Sequence, residues 1–89
     1  MTQEVRWLDK ARKEFLKLDK PVQRRIAKFL RERVVPASDP RFSGKALKGT
    51  EGEIWRYRVG DYRLLCRIED DKLVILIVAV GHRKSIYQT

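Results

Sequence analysis

Residues 54–87, IWRYRVGDYRLLCRIEDDKLVILIVAVGHRKSIY, constrain this chain more than any other stretch. Apolar and charged residues alternate along it with the period of two that a half-buried strand requires, and two polar dipeptides, Gly60 with Asp61 and Asp70 with Asp71, fall where hairpin turns would be needed. Three consecutive antiparallel strands follow from that pattern. A two-residue turn at Gly60 and Asp61 sets Val59 opposite Tyr62 and Arg58 opposite Arg63. One sheet face then carries Trp55, Tyr57, Val59, Tyr62, Leu64, Cys66 and Ile68, and the other carries Arg56, Arg58, Arg63, Leu65 and Arg67. With Asp70 and Asp71 as the second turn, Leu73, Ile75, Ile77 and Ala79 join the aromatic face, and Val74, Leu76, Val78 and Val80 join the arginine face. Like charges directly opposite one another destabilise a strand pair. Two opposed arginines that the fold does not need therefore point to an anion between them, and a phosphodiester backbone is the commonest such anion.

The remaining chain supplies a cover for the aromatic face. Glu4–Trp7 alternates weakly and reads as a short first strand, able to lie beside the doubly apolar last one. Asp9 is placed to cap a helix whose Leu8, Ala11, Phe15 and Leu18 share one side. Asp19, Lys20 and Pro21 end it and start a second helix, with Asp19 as the cap and Pro21 in the first turn, where an N–H has no intrahelical partner. Val22, Ile26, Phe29, Leu30, Arg33 and Val34 trace its inner stripe, while Arg24, Arg25, Lys28 and Arg31 face elsewhere. Pro36 and Pro40 stop the helical part, and residues 41–53, with three glycines, read as a loop. The expected fold class is α+β: a single domain over residues 1–89, with an N-terminal short strand and a helix hairpin packed on a mainly antiparallel sheet of about four strands.

Charge narrows the partners. The net charge is +9; residues 1–50 carry 14 Lys and Arg against 6 Asp and Glu, net +8, whereas residues 51–89 carry 7 against 6, net +1. The helical half is suited to long-range attraction of an acidic partner, and the arginines of the sheet half are placed singly. Cys66 is the only cysteine, so no disulfide within the chain can form, and it reads as a small buried residue of a reducing compartment. The longest apolar run, residues 73–80, is far short of a membrane span, and the expected location is the cytoplasm, with no membrane partner. No Asp/Glu pair or His/Cys cluster has metal-ligand spacing, and no cofactor is expected.

The order of elements, together with the segments GKALKG, WRYRVGDYRLLCRI and VGHRKSIY, resembles the RelE/ParE superfamily of bacterial type II toxins, and the RelE branch more closely. The resemblance covers nearly the whole chain. It implies a ribosome-dependent endoribonuclease that cuts mRNA in the ribosomal A site, with basic residues around the scissile phosphate. By motif position these fall on Lys48, Arg56, Arg58, Arg63 and Arg83, with Tyr87 as the C-terminal tyrosine. It further implies a cognate acidic antitoxin, and contact with operator DNA only through the toxin–antitoxin complex. The ParE-like branch, which shares the fold and inhibits DNA gyrase without nuclease activity, is the nearest alternative; a non-catalytic RNA-binding module is another.

The chemistry can be reasoned from RNA itself. Its 2′-OH is a built-in nucleophile, so a metal-free nuclease must deprotonate that hydroxyl, stabilise the pentavalent phosphorane and protonate the leaving 5′-oxygen. Guanidinium groups suit the middle task, being planar, always charged and able to bond two phosphate oxygens. Arg63 and Arg83 are the expected phosphate stabilisers, assisted by Arg56 and Arg58, where RelE has lysines at both strand positions. Because arginine is a poor base, proton transfer is left to His82, Tyr87, Lys45, Lys48 or Lys84, with His82 titrating nearest neutrality. Further RNA contacts are expected from Lys45, Lys48, Arg67 and Lys84.

Overall fold

The structure is a computed structural model, and it describes residues 2–46 and 54–84. A mixed five-stranded sheet in the order β1-β5-β4-β3-β2 carries two helices on one face. The elements are β1 (Glu4–Trp7), α1 (Asp9–Leu16), α2 (Lys20–Phe29), β2 (Lys45–Ala46), β3 (Ile54–Val59), β4 (Tyr62–Glu69) and β5 (Val74–His82). β1 runs parallel to β5 on its outer side, with Glu4 opposite Val74 and Trp7 opposite Ile77; every other pair is antiparallel.

Each helix begins where the chain chemistry allows it, though neither uses the expected side-chain cap. α1 starts at Asp9 itself with Leu8 in the extended cap position, so Asp9 is a first-turn residue, favourable to the helix dipole, and not the cap. Asp19 does occupy the cap position of α2, with Pro21 in the first turn, but its side chain makes no capping bond. The corner is tied instead by Gln23, whose Nε2 donates to Leu18 O at 2.8 Å and Leu16 O at 3.2 Å. α2 does not stop at Phe29: it runs into a π-helical turn, Leu30–Val34, which keeps Leu30 and Val34 buried below Ile26. Arg33 leaves that stripe and is exposed, its guanidinium lying 5.6 Å over the Phe42 ring.

The core lies between the helices and the sheet. Ala11, Ile26, Val34, Tyr57, Leu64, Cys66, Ile75 and Ile77 are fully enclosed, and each large aliphatic among them contributes roughly 1.5–3 kcal/mol of hydrophobic stabilisation. Tyr57 is the largest buried side chain; its hydroxyl donates to Pro40 O, and its ring packs against Phe29 and Phe42 at 5.6 and 5.9 Å.

Two parts of the sheet depart from the register expected of the sequence. The segment after the helices is not wholly loop: Lys45 and Ala46 pair with Arg56 and Trp55, giving a fifth strand. The second hairpin also turns through a 3₁₀ turn, Asp70–Lys72, and a left-handed Leu73 (φ 54°), not through Asp70 and Asp71 alone. Glu69 thus pairs with Val74, a shift of two residues that leaves Ile75 and Ile77 on the core face. Further along, an extra β5 residue opposes the Leu65–Cys66 step: Cys66 faces Ile77 but Leu65 faces Ala79. That bulge exchanges the faces beyond it. Ala79 moves to the arginine face, and Val80, 4% exposed, enters the core opposite Leu64, both contrary to strict alternation.

Candidate functional site

The first hairpin sets the site. Gly60 takes a positive φ of 60° at the first turn position, where a side chain would be strained, and Val59 pairs with Tyr62, Arg58 with Arg63 and Arg56 with Leu65. The register read from the Gly60 and Asp61 turn is the one observed. Because residues opposite one another in a sheet project to the same face, Arg56, Arg58 and Arg63 leave the face away from the helices.

The two-residue strand β2 adds a fourth cation. Lys45 lies opposite Arg56 and shares its face. The strand can approach this closely because Gly44, at φ +88°, has no side chain: a Cβ there would stand 2.2 Å from Arg56 O and 2.8 Å from Trp55 Nε1. The Trp55 indole N–H donates to Ser43 O at 2.8 Å, which fixes the same approach from the other side. Gly44, Lys45, Arg56, Arg58 and Arg63 together line a cleft of about 270 Å³. Sequence reasoning passed over Gly44, and the tight pairing of its backbone with β3 is why it belongs here; the only signal was a glycine directly before a lysine in a segment leading to the arginine strand.

The other expected residues are distributed differently. Arg67 shares the arginine face but stands four residues along β4 from Arg63, about 13 Å in strand length, in a separate hollow with Glu69, Asp70 and Asp71. His82 falls opposite Tyr62, on the core side of the sheet, its ring 5.5 Å from the Tyr62 ring and edge-on to it. The β5 bulge is the cause: strict alternation from Val80 would have set His82 beside the arginines. Its Nδ1 accepts the Lys84 backbone N–H at 3.1 Å. The Arg83 N–H donates to Asp61 O at 2.8 Å, which anchors the chain after β5 to the arginine hairpin, but Arg83 and Lys84 are exposed and line no part of the cleft. Lys48 and Tyr87 lie outside the described residues.

The cleft therefore concentrates positive charge that no carboxylate balances locally: its lining contains three arginines and a lysine and no acidic residue. Such a hollow can hold a phosphate from several sides with forked, charge-assisted bonds. Of the four cations, only Lys45 can readily give up and regain a proton. Among the described residues no group of three His, Cys, Asp or Glu side chains is arranged to hold a metal ion.

The sequence profile of the ParE toxin of type II toxin-antitoxin systems matches residues 5–87. The chain belongs to this family, within the RelE/ParE superfamily. It is 31% identical over 84 residues to Toxin RelG of Mycobacterium tuberculosis, covering 94% of each chain. In structure it is similar to the toxin-antitoxin complex RelBE2 of the same organism, with a TM-score of 0.81, 30% identity and 93% of both chains covered. A second neighbour is the archaeal RelE-RelB complex of Pyrococcus horikoshii, with a TM-score of 0.69, 28% identity, and 96% of this chain and 99% of that one covered. The likeness is to the RelE branch of the superfamily, and the helices on a mixed five-stranded sheet are shared with it.

Proposed function

We propose that this type II toxin is a ribosome-dependent endoribonuclease that cleaves mRNA in the A site without a metal ion. The observation that carries the reading is the cleft in which Lys45, Arg56, Arg58 and Arg63 converge, together with the likeness to proteins named as RelE-type toxins. In this mechanism the 2′-oxygen loses its proton to a base and attacks the adjacent phosphorus. The bond from phosphorus to the 5′-oxygen breaks, an acid protonates that oxygen, and the products are a 2′,3′-cyclic phosphate and a 5′-hydroxyl. Arg58 and Arg63, opposed across the hairpin, meet the equatorial oxygens as negative charge grows on them, and Arg56 assists from the same strand face. Lys45 is the described residue of the cleft suited to move a proton, with Tyr87 and Lys48 as further candidates from the family pattern. His82, turned to the Tyr62 side, would have to act from outside the cleft, and Arg83 would reach the phosphate from the chain anchored at Asp61.

The proposed setting is the cytoplasm. An acidic antitoxin restrains the toxin and brings operator DNA within reach of the complex, in keeping with a net charge of +9 and with neighbours described as toxin-antitoxin complexes. Among the described residues no helix is long and apolar enough to cross a membrane.

The experiment is to map mRNA 5′ ends after induction. Clustered new ends within codons of translated messages, persisting in EDTA-treated lysates whose ribosomes remain intact, are expected. Arg63→Ala, still soluble, should lower cleavage by on the order of a hundredfold, the usual effect of removing one such preorganised donor. The family profile is that of ParE, which favours a second reading, gyrase inhibition. DNA breaks and an SOS response with intact mRNA would establish that reading, and harmless expression with salt-sensitive RNA affinity would point to a binding module.

A further inference from the structure

The arginine cleft does not end at Arg58. That residue also lines a second hollow, of about 500 Å³, on the other side of the hairpin end, where it meets Arg25 and Lys28 of α2 and Arg33 of the π-helical turn. The two hollows share Arg58 and are otherwise lined by different residues. The junction is tight. Arg25 reaches across to the turn so closely that a Cβ on Gly60 would be 3.0 Å from its Nη1, so glycine at this position serves the helix contact as well as the turn. Arg33 is steadied over the Phe42 ring. The lining carries one carboxylate, Glu32, which is 3.7 Å from Arg31 Nη2. Among the described residues Arg25, Lys28 and Arg58 have no carboxylate within ion-pair distance.

From this continuity we infer a second RNA-backbone site on α2, in which Arg25 and Lys28, with Arg33, take a phosphate flanking the one held between Arg58 and Arg63. The inference rests on the arginine cleft being a phosphate site, as proposed above. Cations gathered without counter-charge gain nothing for the fold, whereas a polymer with a phosphate at every residue can occupy both hollows at once and share Arg58 between them. An acidic peptide is the poorer occupant. It needs an apolar seat, and the largest apolar groove lies elsewhere, between β1 and the helices, lined by Val5, Trp7, Phe15, Leu16 and Leu30. The RNA strand could be message or ribosomal, and its chemistry is the same.

The test compares the intact protein with R25A/K28A and with the charge-preserving R25K/K28R; both positions are exposed, so the fold does not depend on them. The probes are fully 2′-O-methylated single strands, one just long enough for the arginine cleft and one extended, and ribosomes free of message. Affinity is measured against salt concentration by fluorescence anisotropy. For the extended strand R25A/K28A should flatten the slope of log K on log salt by about 1.4, at about 0.7 per lost single-strand contact; the short strand should be unaffected, and R25K/K28R should restore the slope. Flattening on ribosomes alone also supports the site and assigns it to ribosomal RNA. Unchanged slopes on both probes, or no restoration by R25K/K28R, overturn it. So does an unchanged slope coupled with a loosened complex with the acidic antitoxin. Cleavage of mRNA with unchanged slopes would sink this site and leave the nuclease standing; flattened slopes with intact mRNA would do the reverse.

Discussion

At the scale of single residues, two buried groups tie stability to pH without taking part in any chemistry. Burial pushes the Cys66 thiol and the Tyr57 hydroxyl well above their ordinary values, because neither anion is solvated in the core. Both are therefore protonated in the fold. The stabilisation they give is complete below their unfolded-state values, about 8.5 for a thiol and about 10 for a phenol, and is lost as pH rises through the higher folded values. The urea midpoint should be flat up to about pH 8 and fall from there. Cys66→Ala should remove the earlier part of that fall and Tyr57→Phe the later part. The second substitution also strips Pro40 O of its donor, at a cost of about 1–3 kcal/mol at neutral pH. The exposed pair of Arg41 and Asp70 works in the other direction. The guanidinium, bonded at 2.9 and 3.2 Å, holds the Asp70 carboxyl below the usual range, so its contribution is present above the unfolded value and disappears as pH falls through the folded one.

At the scale of elements, small irregularities decide where functional groups point. The β5 bulge is met from α1, where Glu14 Oε1 accepts the Val80 N–H at 3.1 Å, beyond the last residue of β1 that could have paired with it. Glu14→Ala should cost about 1 kcal/mol through that unsatisfied N–H, and Glu14→Gln, which keeps the acceptor, should recover most of it in urea titrations. Gly44→Ala is expected to be harsher. The added carbon cannot coexist with Arg56 O, so β2 must leave the sheet, and RNA affinity should fall although no charge has been removed. A circular-dichroism melt close to wild type alongside weakened binding would show that the loss is one of placement.

These same irregularities mark what could be read from the sequence. The Gly60 and Asp61 turn was legible because glycine there, between two alternating segments, admits one register, and with it came the opposed Arg58 and Arg63. The bulge was not legible. Residues 73–80 are apolar at every position, so an extra residue changes no pattern of polar against apolar, yet it sends Val80 to the core and His82 to the Tyr62 side. Lys45 was marked as a phosphate contact from its place in the chain, while its pairing with Arg56 required long-range approach of a two-residue strand that periodicity cannot show.

For the whole molecule, charge and fold are in tension. A net +9 on 89 residues favours expansion through self-repulsion, and the described ion pairs are exposed and worth little each. Simple salt should therefore raise the melting temperature by screening, over a range set by a Debye length of about 8 Å at physiological ionic strength. If the excess were only diffuse, any anion at equal ionic strength would do the same. The two hollows joined at Arg58 are not diffuse, and a chain of phosphates that fills both binds the folded state alone, because the unfolded chain has no such convergence. Linear polyphosphate at micromolar concentration should thus raise the melting temperature where chloride of equal ionic strength has no measurable effect. R58A/R63A should abolish most of that difference while keeping the chloride response. Equal shifts with polyphosphate and chloride in the wild type would mean that the cations act as a background field and not as a site.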